Sequence, residues 1–163
     1  MQFNLTPASP ADKSVISNLM QFYIYDFSEF IDFDVEEDGL FGAYPGLEDY
    51  WKDGNDRFPY IIKQNDKYAG FAFVRFIRSN THSYFSIAEF FILKKYRRKR
   101  IGSAVAMELF DMHKGQWEVY QKESNKPARL FWNKIINEYS KGRYKERLEN
   151  GRWIQDFVSG GAS

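Results

Sequence analysis

Hydrophobic and polar positions follow two periods along the chain, and their order indicates a mixed α/β fold. Alternating or short apolar runs predict seven strands, at 2–7, 57–63, 68–76, 83–93, 117–121, 144–148 and 152–158. Helical spacing predicts three main helices, which begin near Ser9-Pro10-Ala11-Asp12, at Ile101 and at Ser124-Asn125-Lys126-Pro127. A short helix is expected at 47–51, within the irregular segment 28–56.

Local signals define how some of these elements connect. The segment Gln64-Asn65-Asp66-Lys67 predicts an antiparallel hairpin between the second and third strands. The run 83–93 is apolar on both faces, which is typical of a central strand. Gly115 is expected to cap the helix that begins at Ile101. With no repeat or linker visible, residues 1–163 are predicted to form one domain.

Composition excludes several classes of protein. The 163 residues contain no cysteine and two histidines, so a disulfide scaffold, a cysteine nucleophile and a histidine-based zinc site are not expected. The longest uncharged stretch, Ser14 to Tyr25, has 12 residues, against about 20 needed to span a bilayer. No signal peptide is visible at the N-terminus, and a cytoplasmic location is predicted.

The net charge of +1 conceals an asymmetry between the two ends of the chain. Residues 1–60 hold 12 acidic and 3 basic side chains, whereas residues 61–163 hold 10 acidic and 20 basic ones. Such a distribution can hold an anion at one place and a cation at another. Two solvated faces of opposite sign are the alternative interpretation.

The most informative segment joins a predicted strand to an amphipathic helix through a basic run. Six of the seven residues from Lys94 to Arg100 are basic, and Ile101 and Gly102 follow them. A helix start presents unpaired backbone N–H groups and the positive end of its dipole, and a glycine lets an anion approach the backbone. The segment therefore predicts a phosphate or pyrophosphate site. It lacks the glycine-rich span of a Walker loop and the three glycines of a dinucleotide fingerprint.

Residues 97–102, Arg-Arg-Lys-Arg-Ile-Gly, resemble the signature of the GNAT superfamily of acyl-CoA N-acyltransferases, Arg/Gln-x-x-Gly-x-Gly/Ala. Arg100 replaces the first glycine of that signature. The family's downstream pattern is matched by Asn125, Ala128, Phe131 and Trp132. The order of strands and helices over 2–158 matches the family as well. The motif residues are most similar to a bacterial branch of predicted acetyltransferases. The resemblance implies a GNAT-type α/β fold with a mixed, mostly antiparallel central sheet and helices on both faces.

The resemblance also implies acetyl-CoA as cosubstrate, with no metal. In that family the backbone of Phe91 and Ile92 would bind the pantetheine arm, and the N–H groups from Arg98 to Ser103 would hold the pyrophosphate. Asn125 and Phe131 would face the CoA arm. The predicted cofactor-binding residues are Phe91, Ile92, Arg97, Arg98, Lys99, Arg100, Ile101, Gly102, Ser103, Asn125 and Phe131.

Arg100 leaves two outcomes open at the predicted pyrophosphate site. A helical conformation at this position would not require glycine, and the guanidinium would then assist at a phosphate. The other outcome is that its side chain weakens or prevents CoA binding.

Glu89 is the candidate catalytic base. It is the one acid inside the apolar run 84–93, and burial raises the pKa of a carboxyl group towards a useful range. A structural ion pair with an arginine such as Arg75 is the alternative. The family usually has a tyrosine as general acid, and in this sequence Trp132 occupies that position. An indole N–H supplies no proton at neutral pH. Water, Tyr84 and Tyr120 remain candidates for that role.

The first helix and the loop after it build the acceptor site in this family. Here the stretch mixes acids with aromatic residues, which favours a cationic amine, although an acidic solvated loop fits as well. Its acids are Asp26, Glu29, Asp32, Asp34, Glu36, Glu37 and Asp38, and its aromatic residues are Tyr23, Tyr25, Phe27 and Phe30.

The sequence therefore predicts an N-acetyltransferase that transfers acetyl from acetyl-CoA to a primary amine by direct attack in a ternary complex. Its expected partners are acetyl-CoA and a cationic amine, without nucleic acid or membrane, and a homodimer is left open. One alternative is a GNAT-fold protein that binds acyl-CoA with little turnover. Another treats the basic run as a nucleic-acid patch.

Overall fold

A computed structural model describes residues 2–161, which form seven strands and three α-helices. The strands are β1 (Phe3–Pro7), β2 (Arg57–Gln64), β3 (Lys67–Arg78), β4 (Ser83–Ile92), β5 (Gly115–Lys122), β6 (Tyr144–Glu149) and β7 (Arg152–Ser159). The helices are α1 (Lys13–Phe27), α2 (Ile101–Met112) and α3 (Lys126–Ser140), with short 3₁₀ turns at Pro10–Asp12, Leu47–Trp51 and Lys94–Tyr96. The strands form one sheet in the order β1-β2-β3-β4-β5-β7-β6. The predicted fold class and element order are confirmed.

The described residues group into two compact units. The first unit holds the residues up to Phe73 together with Glu89–Arg97, and the second holds Val74–Ala88 with the residues from Arg98 onward. The boundary therefore falls within β3 and β4 and just before α2.

In the first unit, α1 covers strand residues with large apolar side chains. Ile16, Leu19 and Met20 are its buried residues, and one turn later Tyr23 contacts the rings of Phe71 and Phe91. At Gly70 the backbone approach is close, because a Cβ there would lie 1.9 Å from the carbonyl oxygen of Phe91. The apolar runs of β3 and β4 thus provide the core of this unit.

In the second unit, α2 and α3 lie on the same face of the sheet. Phe110 of α2 and Tyr139 of α3 both make ring contacts with Phe157 of β7, and Phe110 also contacts Trp117 of β5. β5 pairs with β7 over eight aligned residues, and β6 pairs with β7 over six. Because side chains alternate along a strand, the neighbours of Trp117 and Phe157 point to the opposite face.

Tight turns connect two hairpins, and the first lies where the sequence predicts it. Asn65 and Asp66 join β2 to β3 with φ of 49° and 61°, and Asn150 and Gly151 join β6 to β7 with φ of 52° and 73°. Positive φ at both central residues is the geometry of a two-residue hairpin. The cap predicted at Gly115 is wrong, because α2 ends at Met112 with His113 as its cap and Gly115 is the first residue of β5.

No helix within residues 2–161 combines the length and the apolar character needed to cross a lipid bilayer.

Candidate functional site

Glu89 lies near the end of β4 in the first unit, held by tyrosine hydroxyl groups. The Tyr44 hydroxyl donates to Glu89 Oε1 over 2.8 Å, and the Tyr23 hydroxyl also hydrogen-bonds this carboxylate. Burial raises the pKa of Glu89 above its usual 4.5, against the opposing effect of the two tyrosine donors. The carboxylate is therefore oriented by neutral donors and is more basic than an exposed glutamate.

Tyr23 remains a protonated donor at neutral pH. Burial is the main cause that raises the pKa of Tyr23 well above 10, and the nearby charge of Glu89 acts in the same direction. Tyr23 was expected among the aromatic residues of the acceptor stretch, whereas Tyr44 was missed. Its only sequence signal is an aromatic residue between Gly42 and Gly46, which is weak.

The basic run after β4 divides between partly buried structural contacts and exposed charges. Arg97 donates from Nε to the Ile92 carbonyl over 2.7 Å and forms an ion pair with Asp26. Lys94 Nζ lies 3.6 Å from the same aspartate. Arg97 thus uses its guanidinium to fix the end of β4 against α1, and Asp26 already carries two cationic partners.

The following residues lead into α2 and are exposed. Arg98, Lys99 and Arg100 are solvent-exposed, and α2 begins at Ile101 with Gly102 as its second residue. The N–H of Ala104 donates to the carbonyl oxygen of Arg100 over 3.1 Å, which is the first turn of helical bonding. The N–H groups of Ile101 to Ser103 precede that bond, so they point out of the helix start and are available to an anion.

Arg100 has a backbone conformation that favours glycine. Its φ is 62° and its ψ is 10°, in the left-handed region, and Arg98 also has a φ of 62°. The expectation of a helical conformation at Arg100 is therefore wrong, because this residue caps the helix from outside. A non-glycine residue in this region costs roughly 1–2 kcal/mol.

The residues predicted on α3 have clear structural contacts in the second unit. Asn125 is buried and is the N-cap of α3, where its side-chain oxygen accepts from the Ala128 N–H over 3.2 Å. Trp132 is 6% exposed and lies between Phe110 and Phe131, at ring-centre distances of 6.4 and 5.0 Å. Trp132 is thus a core residue, and Asn125 has a capping role whatever else it binds.

Tyr84 and Tyr120 line the same cavity in the second unit. The cavity has a volume of about 520 Å³ and also includes His82, Glu118 and Arg147. Burial is the largest cause that raises the pKa of Tyr84, with a smaller contribution from Glu118. Its phenol is therefore a proton donor at neutral pH.

The acidic residues of the stretch 26–38 are mostly solvent-exposed in the first unit. Glu29, Asp32, Asp34, Glu36, Glu37 and Asp38 are all exposed. Asp38 accepts a hydrogen bond from the Leu40 N–H. Tyr25 is 66% exposed, whereas Tyr23 packs against Phe27. The acids form a charged surface that attracts cations, while Tyr23 belongs to the core around Glu89.

Comparison with known proteins places this chain in one family. The acetyltransferase (GNAT) family matches residues 20–136, and the chain belongs to this family. None of the curated protein sequences compared matches it.

Solved structures show the same fold at low sequence identity. An acetyltransferase from Thermus thermophilus is 12% identical with a TM-score of 0.67, over 97% of this chain and 96% of that one. PaiA N-acetyltransferase from Thermoplasma acidophilum, in complex with coenzyme A, is 13% identical with a TM-score of 0.65, over 97% and 99%. The ribosomal-protein-S18-alanine N-acetyltransferase from Escherichia coli is 11% identical with a TM-score of 0.62, over 99% and 97%.

Proposed function

We propose that this protein is an acetyl-CoA-dependent N-acetyltransferase that acts on a primary amine by direct attack in a ternary complex. The observation that carries the proposal is Glu89, a carboxylate of raised pKa held by Tyr23 and Tyr44, five residues before the basic run that leads into α2. A raised pKa suits a group that must take a proton from an ammonium or a tetrahedral intermediate.

The proposed reaction transfers one acetyl group and two protons. The amine lone pair attacks the thioester carbonyl carbon, a C–N bond forms, and the C–S bond breaks to release the CoA thiolate. Glu89 takes the amine proton, directly or through water. The thiolate is protonated by water or by a tyrosine such as Tyr84, because Trp132 is buried and carries no acidic proton.

CoA would bind through the backbone near the end of β4 and through the start of α2. In this proposal Phe91 and Ile92 bind the pantetheine arm, and the N–H groups of 98–103 hold the pyrophosphate. Arg98, Lys99 and Arg100 are exposed and would neutralise phosphate charge. Arg97 positions the end of β4 through Ile92 and Asp26, and its contact with CoA stays a prediction. Asn125 and Phe131 remain candidates for contact with the CoA arm.

Replacing Arg100 separates its charge from its backbone strain. We expect Arg100→Gly to weaken CoA binding several-fold and to reduce its salt dependence, because a phosphate partner is lost. Its thermal stability should stay equal or rise, because glycine relieves the left-handed strain. Arg100→Asn is the matched control, since asparagine removes the charge but tolerates this conformation. Tighter CoA binding by the glycine variant, measured by calorimetry, would show that the arginine obstructs the site.

The pH dependence of the reaction should reflect the ionisation of the Glu89 carboxyl group. The base must be ionised, so kcat/KM should fall as pH decreases through a pKa above 4.5, the ordinary value for glutamate. A pH–rate profile measures this acidic limb, and it should be absent from the residual activity of Glu89→Gln. The same limb in both proteins would assign it to another group.

Acetyl-CoA and a panel of primary amines test the function directly. Thiol release that depends on the amine, together with an acetylated product by mass spectrometry, supports the transferase. Acetyl-CoA binding without thiol release for any amine supports the alternative, an acyl-CoA-binding protein, which the replacement of the usual tyrosine by Trp132 favours. A cationic amine acceptor suits the acidic surface of 26–38. The cytoplasmic location and the single-domain organisation stay predictions.

A further inference from the structure

The cavity of the second unit lies on the open face of the sheet. Its walls are alternate residues of strands, such as Tyr84 and Ser86 on β4, Glu118 and Tyr120 on β5, and Ile154 on β7. Residues of the opposite alternation, Phe85 and Phe157, both contact the Trp117 ring. Phe157 also contacts Phe110 of α2 and Tyr139 of α3, so these side chains lie on the face that the two helices cover. The cavity and the α2–α3 layer therefore lie on opposite faces of this unit.

The acidic side chains of the cavity are already paired. Glu118, which is 6% exposed, forms an ion pair with Arg147 and hydrogen-bonds His82 Nε2 over 3.2 Å. Glu149 lies 3.0 Å from Nε of the same Arg147. Both carboxylates of the wall thus share one guanidinium, which also lies 3.5 Å from Asp156. The wall as a whole holds three arginines, Arg75, Arg147 and Arg152, against these two carboxylates, so its charge favours an anion.

Two further arginines of the wall have no such partner. Within the described part of this unit, neither Arg75 nor Arg152 forms an ion pair, and Arg152 stacks over the Tyr120 ring at 4.9 Å. The Nε of Arg75 is buried without a hydrogen-bond partner among the described residues, and so is the hydroxyl oxygen of Ser86. Both residues line the same cavity.

Buried donors without an acceptor are costly, and each such group calls for an explanation. An arginine Nε–H and a hydroxyl together match an oxyanion, since the guanidinium fork binds carboxylates in a fixed geometry. The volume of about 520 Å³ falls in the range of small-molecule sites.

We propose that this cavity binds the carboxylate of the amine acceptor, through Arg75 and Ser86, so that the acceptor class is a small amino acid-like amine. This inference rests on the proposed acetyl transfer. It extends the expected acceptor from a simple cation to a zwitterion, whose carboxylate this cavity would hold.

Paired acids and amides test the inference. The probes are phenylalanine, methionine, glutamate and lysine, each beside its α-carboxamide. Binding is measured by calorimetry with CoA present, and acetyl transfer is measured with acetyl-CoA. We expect at least one acid to be preferred over its amide by tenfold or more, both in affinity and in kcat/KM. Arg75→Gln should reduce that preference below threefold, and Ser86→Ala should reduce it partly.

Arg78→Gln is the matched control, because Arg78 is an exposed arginine of the same strand that stacks on Phe76 and does not line the cavity. The preference should be unchanged in this variant, and CoA affinity should be unchanged in Arg75→Gln. Amides that serve as well as acids would overturn the inference while leaving acetyl transfer intact. Acids that bind in an Arg75-dependent way without product from any amine would support the cavity and overturn the transferase. A loss of CoA affinity in Arg75→Gln, without loss of acid preference, would overturn the assignment of Arg75.

Discussion

Glu89→Gln is expected to lower turnover by roughly 100-fold or more, with little change in acetyl-CoA affinity. Glutamine has the same shape, and its side-chain oxygen can still accept from the hydroxyl groups of Tyr23 and Tyr44. What it loses is the ability to take a proton. Initial rates of amine-dependent thiol release, compared with CoA affinity by calorimetry, measure the two effects separately.

The same variant separates a catalytic glutamate from a structural one through its stability. The pKa of Glu89 is raised in the folded state, so folding disfavours its ionised form, and its contribution to stability decreases as pH rises from 4.5 through the folded pKa. Above that window the neutral glutamine should leave the melting temperature equal or higher. A structural role predicts the reverse, a lower melting temperature at pH 7 with turnover per folded molecule nearly intact.

Tyr44→Phe is a graded control for this prediction. It removes one donor to the Glu89 carboxylate and keeps the ring, which contacts Phe73 at 6.1 Å. Losing a donor to the ionised form should raise the pKa of Glu89 further, so the acidic limb of the pH–rate profile should move to higher pH. If the acidic limb does not move in Tyr44→Phe, the ionisation of Glu89 does not cause it.

Periodicity in the sequence predicts the fold well because each strand and helix buries a continuous apolar set. The run 84–93 contains one acid, and that feature alone identifies Glu89. Its tyrosine partners are less visible, since Tyr44 comes from an irregular loop 45 residues earlier and its hydroxyl reaches Glu89 only through tertiary folding. Tyr23 occupies a helical position that core packing alone explains.

Other residues of the site depend on information that a linear pattern does not contain. Arg97 belongs to the basic run, yet its partner is Asp26 on α1, so a charge that suggests phosphate binding is used to fix a strand end. Arg100 matches a motif position by spacing, but only the backbone shows its left-handed conformation. The cavity with Arg75 and Ser86 comes from alternate residues of several strands, and their register is not readable from periodicity.

The second large expected effect is a loss of CoA affinity in Gly102→Trp, at the start of α2. Gly102 is the second residue of the helix, within the turn whose N–H groups are proposed to hold the pyrophosphate. An indole at this position should cover those groups and weaken CoA binding at least tenfold, or ~1.4 kcal/mol. Calorimetric titration with CoA measures the loss directly, without need of an acceptor.

Two controls make the Gly102→Trp result specific to the helix start. Gly102→Ala adds only a methyl group and raises helix propensity, so CoA affinity should be retained and thermal stability should not fall. Gly54→Trp introduces the same indole at a loop glycine where a Cβ would meet nothing within 4 Å, so its CoA affinity should match that of the unaltered protein. If Gly102→Trp folds and binds CoA as tightly as Gly54→Trp does, the pyrophosphate does not lie at the start of α2. The exposed charges of Arg98, Lys99 and Arg100 would then need another ligand.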